Sequence, residues 1–436
     1  MQRTLKKIFF ILALAFLGFA PRATAQNEEK FSLERAIEHA LEHNKNVINA
    51  NLSVNEADER LKETIAQGLP QIDATVDYSN FFGSSASLGA MPGMGEFTID
   101  FDPTSNLSVS VGQLVFSGSY IVGIQTAKLF KEMTKTSLEK SELDIKAQVT
   151  EAYILSLISM ESKAVMVKNI ENMKEVLNKT KKLVEVGVAE EIDYDQLSVQ
   201  VSMLENGLRA AERQVELALN MLRLQIGLQA DVSIILTDEI DDIVGESEYQ
   251  TSLLQPFELQ NNFDFKLMEF QTDIAKKQIN MEKSAYLPTI AGFYNYTEKI
   301  LKADFDINPN HVIGVNVSIP IFSSGARRSK VNQAKINHEI TENQRDLLSE
   351  QLMIQEKQLR YNLRNAVEQY ESQKANVEVA MRVYKNLNNK YQQGIISSLD
   401  LTTANNNYLQ AENNYISAKL QLMEAQIALD KLLNKL

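Results

Sequence analysis

Apolar and polar positions change period along this chain, and they do so twice in the same order. Residues 31–47 place Leu33, Ala36, Ile37, Ala40 and Leu41 on one helical face, which predicts a short amphipathic helix. A second helix is predicted over residues 49–67, where Gly68-Leu69-Pro70 stops it. From Ile72 the period becomes two: Ile72, Ala74, Val76, Tyr78 and Phe82 alternate with Gln71, Asp73, Thr75, Asp77 and Ser79. A second alternating stretch carries Leu107, Val109, Val111 and Val115. Residues 83–95 between them, rich in Gly, Ser and Met, read as a loop. After Leu287-Pro288 the alternation returns over residues 289–299 and 311–322, with Ile313, Val315, Val317, Ile319 and Ile321 on one face.

Each strand pair precedes about 68 residues without proline, following Gly118 in one half and Gly325 in the other. At 1.5 Å per residue, each predicts a helix of roughly 100 Å. Gly118, Gly187 and Asp193 recur 207 positions later as Gly325, Gly394 and Asp400, so the layout reads as an internal duplication. Within the long helices, Met166, Ile170, Met173, Leu177, Thr180, Val184 and Gly187 alternate steps of four and three. Val377, Ala380, Tyr384, Leu387, Tyr391 and Gly394 do the same in the second half. Return helices continue both seams, from Leu197 to Leu222 and from Ala404 to Leu429. This is coiled-coil spacing, and it predicts antiparallel helix pairs folded about a glycine turn. Residues 228–262 break the repeat, carry Asp231, Asp238, Glu239, Asp241, Asp242, Glu246 and Glu248, and read as an external linking belt. The expected organisation is therefore 1–25 as a leader, 26–227 and 263–436 as repeats, and 228–262 as linker.

Strands with one apolar and one polar face fit a membrane barrel or a soluble sandwich. In a membrane, two strands per repeat cannot close a barrel, since about eight are needed to enclose filled space. Open edges are not tolerated in lipid, so several chains would have to share one wall. Strand counting alone leaves two, three or more chains open.

Composition narrows the setting. Arg3, Lys6 and Lys7 precede the apolar residues 8–19, and Ala23-Thr24-Ala25 is a cleavage signal, so residues 1–25 read as a signal peptide and Gln26 as the mature start. Its removal takes away Arg3, Lys6, Lys7 and Arg22 and lowers the formal net charge from −13 to −17. Such acidity argues against a nucleic-acid partner. The absence of cysteine excludes disulfides, thiolate metal sites and a lipidated cysteine. No phosphate-cradling loop, dinucleotide fingerprint or nucleophile elbow is present, and "GSSAS" at 83–87 reads as loop. His39-Ala40-Leu41-Glu42-His43 matches the H-x-x-E-H metalloprotease pattern, with histidines four apart on a helix. Their position opposite Ile37, Ala40 and Leu41 is explained more simply by solvent exposure. No cofactor or metal is expected, and no enzyme.

The strings themselves resemble the TolC-type outer-membrane efflux proteins over essentially all of the mature length. "SLERAIEHALEHNKNV" is similar to that family's first helix, and "GLPQIDATVDYS" and "YLPTIAGFYNYT" to its helix-to-strand switches. "VFSGSY" and "PIFSSGARR" resemble its strand-to-helix switches, and "EVGVAEEIDYDQL" and "QQGIISSLDLTTA" its helix-turn tips. The resemblance implies a mixed α and β membrane protein. It implies a homotrimer with a twelve-stranded outer-membrane barrel, four strands from each chain, continued by a coiled-coil α-barrel in the periplasm. It implies a Gram-negative outer-membrane exit duct of a tripartite efflux or type I secretion system, with outer-membrane lipid, a periplasmic adaptor and an inner-membrane pump or exporter as partners. A soluble periplasmic coiled-coil scaffold is the alternative, and a zinc enzyme using His39 and His43 a remote one.

The resemblance also places a gate and a docking site. Asp193 and Asp400 stand six residues after the tip glycines, and Tyr391 matches a gate tyrosine. Ile396 departs from an expected arginine and Thr403 from a second aspartate, which leaves Glu190, Glu191 and Asp195 as further candidates for closing the constriction. A ring of carboxylates around a narrow axis would attract cations, whereas a lone aspartate there can simply cap the return helix. Gly187, Val188, Gly394 and Ile395 are the implied adaptor-docking tips.

Overall fold

A computed structural model describes residues 28–90, 96–243, 246–302 and 307–436. The predicted signal peptide lies outside them. The chain forms two compact units, and each draws residues from both halves of the sequence. One comprises residues up to Lys45, Ile145–Leu254 and Asn362–Ala428; the other comprises Asn46–Asp144, Gln255–Tyr361 and Leu429–Leu436.

The sheet unit realises the period-two segments. β2 (Gln71–Ser79), β5 (Thr104–Phe116), β7 (Thr289–Leu301) and β8 (His311–Ser318) form one sheet in the order β2-β5-β7-β8. Every pairing is antiparallel. The registers Ile72↔Val111, Ala74↔Val109 and Val76↔Leu107 put these side chains on one face. Across the next two ladders, Val111↔Tyr294, Val109↔Tyr296 and Tyr294↔Ile313 continue that face. Gln71, Asp73, Thr75 and Asp77 share the other face with Ser108, Ser110, Asn295 and Thr297. There Asn106 donates to Asp77 at 3.1 Å, and the Ser108 and Thr297 hydroxyls lie 3.3 Å apart. The sheet is thus apolar on one side and polar on the other, and β2 and β8 have unpaired outer edges among the described residues.

Two strand expectations need correction. The segment expected as a loop contributes most of a separate hairpin, β3 (Ser85–Ala90) with β4 (Glu96–Asp100). Residues 91–95 lie outside the described residues. β8 stops at Ser318 rather than 322, because Pro320 has no amide proton to give a ladder.

The helices follow the apolar seams. Leu33–His43 (α1) and Lys45–Ala66 (α2) replace the predicted boundaries, Asn44 breaking the run in extended conformation. α3 (Gly118–Glu185, 68 residues) and α4 (Glu191–Ile226) form the first helix pair. α8 (Ala326–Gln392, 67 residues) and α9 (Ser398–Leu432) form the second. α7 (Phe263–Ser284) leads into β7. Ile170, Met173, Leu197, Val201, Leu204, Tyr384, Leu401 and Ala404 make one buried cluster, which contains seam residues from all four long helices. No helix among the described residues is long and apolar enough to cross a membrane.

The acidic segment after α4 is more ordered than its composition suggests. It supplies β6 (Ser233–Leu236), α5 (Ile240–Ile243) and α6 (Glu246–Leu254). β1 (Glu28–Phe31) pairs with β6 in parallel. Asp238 accepts the Leu33 N–H at 2.8 Å, placing a carboxylate at the N-terminus of α1, where orphan amides and the helix dipole favour it. Residues of α1 and its cap return the favour at the other end of α4. His39 Nδ1 donates to the Ile226 carbonyl at 2.8 Å, and Asn44 Nδ2 donates to the Gln225 carbonyl at 2.7 Å. His39 is consequently half-buried, with the Phe31 ring edge-on at 5.6 Å, and not the solvent-facing residue that the helical wheel suggests.

This joint requires Gly227. Its φ is +78°, and a Cβ there would lie 2.6 Å from the His43 carbonyl oxygen. Gly227→Ala is expected to lower stability by about 1–3 kcal/mol, since a left-handed residue with a side chain must also displace backbone. Thermal unfolding followed by circular dichroism reads this out, with Gly292→Ala, where an added Cβ meets nothing within 4 Å, as the comparison.

Candidate functional site: the two helix-turn tips

Both tips lie in the helical unit and use the same backbone solution. Gly187 (φ +76°) and Gly394 (φ +72°) adopt the left-handed conformation that ends a helix. Gly187 N donates to Val184 O at 2.9 Å and Val188 N to Leu183 O at 2.8 Å. Gly394 N donates to Tyr391 O at 2.9 Å and Ile395 N to Lys390 O at 3.0 Å. This pairing satisfies carbonyls that the helix ends would otherwise leave open. Val186, Val188, Ile192, Ile395 and Leu399 are exposed around the turns.

The carboxylates differ between the tips. Asp400 belongs to a reciprocal cap at the start of α9: its Oδ2 accepts from Ser397 N at 3.2 Å and Ser397 Oγ at 2.8 Å, while its own N–H donates back to Ser397 Oγ at 3.2 Å. The position equivalent to Ser397 in the first tip is Glu190, whose side chain makes no capping hydrogen bond. Asp193 instead accepts a hydrogen bond from Ser398 Oγ, which belongs to the opposite turn. Gln196 Oε1 lies 3.0 Å from the same hydroxyl. Asp193 is half-buried, while Glu190, Glu191, Asp195 and Asp400 are exposed. Thr403, exposed, bonds only back to the Leu399 carbonyl at 2.8 Å among the described contacts, and Ile396 is half-buried.

Tyr391 ties the second tip to the first. Its hydroxyl lies 2.8 Å from Thr180 Oγ1, and Thr180, fully buried, gives its single proton to the Val176 carbonyl at 3.0 Å. Tyr391 must therefore be the donor. Deeper along the seams, Asn169 donates to Asn405 at 3.0 Å and Gln200 to Asn406 at 2.7 Å. The Tyr384 and Tyr408 rings stack at 5.6 Å. The Asn169–Asn405 and Gln200–Asn406 links between the first and second helix pairs carry no local sequence signature, because each depends on a partner more than 200 residues away.

Burial raises the Tyr391 phenol above its usual value, and the nearby Asp193 charge adds to the rise. Burial also raises Tyr384, and it raises Tyr370, beside Tyr415, to about 12. Groups that hold their protons more tightly when folded stabilise fully below the unfolded value of 10 and lose that contribution as pH rises through the folded value. The helical unit should therefore keep its stability to about pH 10 and lose it progressively towards pH 12. Urea midpoints measured across that range test this, and Tyr391→Phe should flatten part of the decline.

The family comparison agrees with this architecture. The profile described as Outer membrane efflux protein matches residues 36–228 and 257–435. The solved structure of CusC, whose report concerns folding and transmembrane channel formation, superposes with a TM-score of 0.75 at 15% identity, covering 92% of this chain and 91% of its own. The Campylobacter jejuni CmeC outer membrane channel gives 0.71 at 17% identity, covering 92% and 85%. The open state of the Neisseria gonorrhoeae MtrE outer membrane channel gives 0.71 at 18%, covering 92% and 88%. A search of curated proteins finds no match. With the profile matching well over half of its length, the chain belongs to the outer membrane efflux protein family.

Proposed function

We propose that three copies of this chain pool their sheets into one twelve-stranded outer-membrane barrel, continued by a helical barrel in the periplasm. The assembly serves as a passive exit duct without catalysis of its own. It receives cargo from a periplasmic adaptor and an inner-membrane pump or exporter, in a tripartite efflux or type I secretion system. The observation that carries this reading is the sheet: four antiparallel strands, one apolar and one polar face, and two unpaired edges. An apolar outer face and a polar lumen are what a barrel in lipid requires, and unpaired edges in hydrocarbon demand neighbours. Removal of residues 1–25 would deliver the mature chain to the outer membrane of a Gram-negative cell. Reconstitution in planar bilayers tests the duct: discrete conductance supports it, whereas a monomeric, water-soluble mature protein would favour the periplasmic scaffold instead.

The adaptor would dock on the exposed turns at Gly187, Val188, Gly394 and Ile395. The gate would use Asp193 and Asp400, with Tyr391 bracing it and Glu190, Glu191 and Asp195 adding negative charge. Three copies of each acid around an axis would concentrate multivalent cations. Asp400→Asn is expected to weaken block by such cations added from the periplasmic side. Asp193→Asn should weaken it less, because that carboxylate is half-buried against Ser398. Unchanged block in both variants would remove these residues from the constriction.

A further inference from the structure

We propose that the junction between β8 and α8 is a headgroup site for an anionic phospholipid, in the membrane leaflet nearest α8. This rests on the barrel reading above, since only an embedded sheet brings the junction to a lipid surface. The apolar alternation of β8 (Ile313, Val315, Val317) continues in Ile319 and Ile321 beyond the strand's end at Ser318. Ile319, Ile321 and Phe322 are 64%, 91% and 84% exposed, so they extend the apolar face of the sheet and mark a surface that a partner covers. Just beyond them the chain turns basic, with Arg327, Arg328 and Lys330 at the start of α8. Arg327 is fixed at this boundary: one guanidinium nitrogen donates to the Pro320 carbonyl at 2.8 Å, and its carbon lies 5.3 Å from the centre of the Tyr286 ring. Its remaining donors are left for phosphate oxygens, which guanidinium geometry suits. Arg328 and Lys330 are exposed and make no hydrogen bond or ion pair among the described contacts.

The charge belongs to one repeat only. The positions equivalent to Arg327, Arg328 and Lys330 in the first repeat hold Tyr120, Ile121 and Gly123. Although the chain as a whole is acidic, no Asp or Glu occurs between Asp306 and Glu339. Near the end of α7, which Tyr286 follows, Lys283 is exposed, and Glu282 accepts a hydrogen bond from Gln278 at 3.1 Å. Apolar side chains, then an aromatic ring, then basic residues without acids to neutralise them is the order found where a protein leaves a membrane, and it attracts lipids of net negative charge. A zwitterionic lipid offers the same phosphate without the net charge, so preference for the anionic lipid is the signature of this site.

The test is native mass spectrometry of the full chain in detergent, mixed with phosphatidylglycerol or phosphatidylcholine carrying the same acyl chains. Phosphatidylglycerol should be retained at least about fivefold better, the factor that a single basic residue near a lipid surface supplies. Arg328→Gln with Lys330→Gln, both exposed, should bring the two lipids to parity, whereas Lys181→Gln with Lys182→Gln, an equal charge change near the first tip, should leave the preference intact. Excess inorganic phosphate should not displace the lipid; displacement would reduce the site to one for a free anion and overturn the proposal. It is also overturned if the Arg328 and Lys330 variant loses its assembly while keeping the lipid preference, which would assign these residues to a contact with a second copy. Equal retention of both lipids by a protein that conducts in planar bilayers overturns this inference alone, whereas failure to insert into any bilayer overturns it together with the barrel.

Discussion

Val315→Arg is expected to leave the chain unable to assemble in the outer membrane. Val315 lies in the middle of β8 opposite Gly292, exposed on the apolar face with Ile313 and Val317. If that face meets lipid, an arginine near mid-depth costs about 2–4 kcal/mol in each chain, and a trimer would carry it three times. The neighbouring Asn316, paired with Ala291, points to the opposite face. Asn316→Arg should therefore insert and conduct, with altered ion selectivity. Membrane fractionation and native mass in detergent separate the two variants. Equal assembly of both would mean that the faces are assigned wrongly, or that the sheet does not meet hydrocarbon at all.

The second large effect concerns a buried cation. Lys419 is 1% exposed, yet its amine donates to Glu161 at 2.9 and 3.1 Å and to Asp241 at 2.9 Å, and it sits 5.0 Å from the Tyr415 ring centre. Burial would lower its pKa, but the hydrogen bonds and charges of Asp241 and Glu161 outweigh that and hold it above the usual lysine value. Through Asp241, this amine fastens α5 of the acidic segment to α9 and α3. Neutralising both carboxylates together, as Glu161→Gln with Asp241→Asn, strands a charge in the interior and should destabilise the helical unit by about 3–5 kcal/mol. Lys419→Met should be much milder, because Asp241 is largely exposed and can return to water. Urea unfolding of the three proteins decides it; a Lys419→Met variant as unstable as the double one would mean that the contact, rather than the stranded charge, sets the energy.

How much of this was written in the chain depends on the range of the interaction. Period two at Ile72–Tyr78 and the four-three seam through Ile170 and Met173 are local, and both became the elements they predicted. Membership in the efflux family was legible in the switch and tip strings. The parallel β1–β6 pair was not, since Leu33 and Asp238 meet across 205 residues. Strand β3 hid in a Gly-, Ser- and Met-rich composition that signals loop. Ser397-Ser398-Leu399-Asp400 carries a capping-box signature, so the Asp400 cap could have been read directly. Lys419 gave no such hint, because a lysine beside Ala418 and Leu422 reads as the solvent edge of a seam until its distant partners are known. His39 was misjudged for the same reason: a helical wheel cannot foresee a carbonyl arriving from Ile226.

The two adjacent serines at the second turn divide their labour, Ser397 holding Asp400 and Ser398 holding Asp193. Both acids, 207 positions apart, thus take their orientation from a single dipeptide. Deleting one residue between Gln393 and Ser397 would misdirect the pair at a stroke, so Ile395 and Ile396, unlike the left-handed Gly394, should tolerate side-chain replacement far better than the stretch tolerates a change of length.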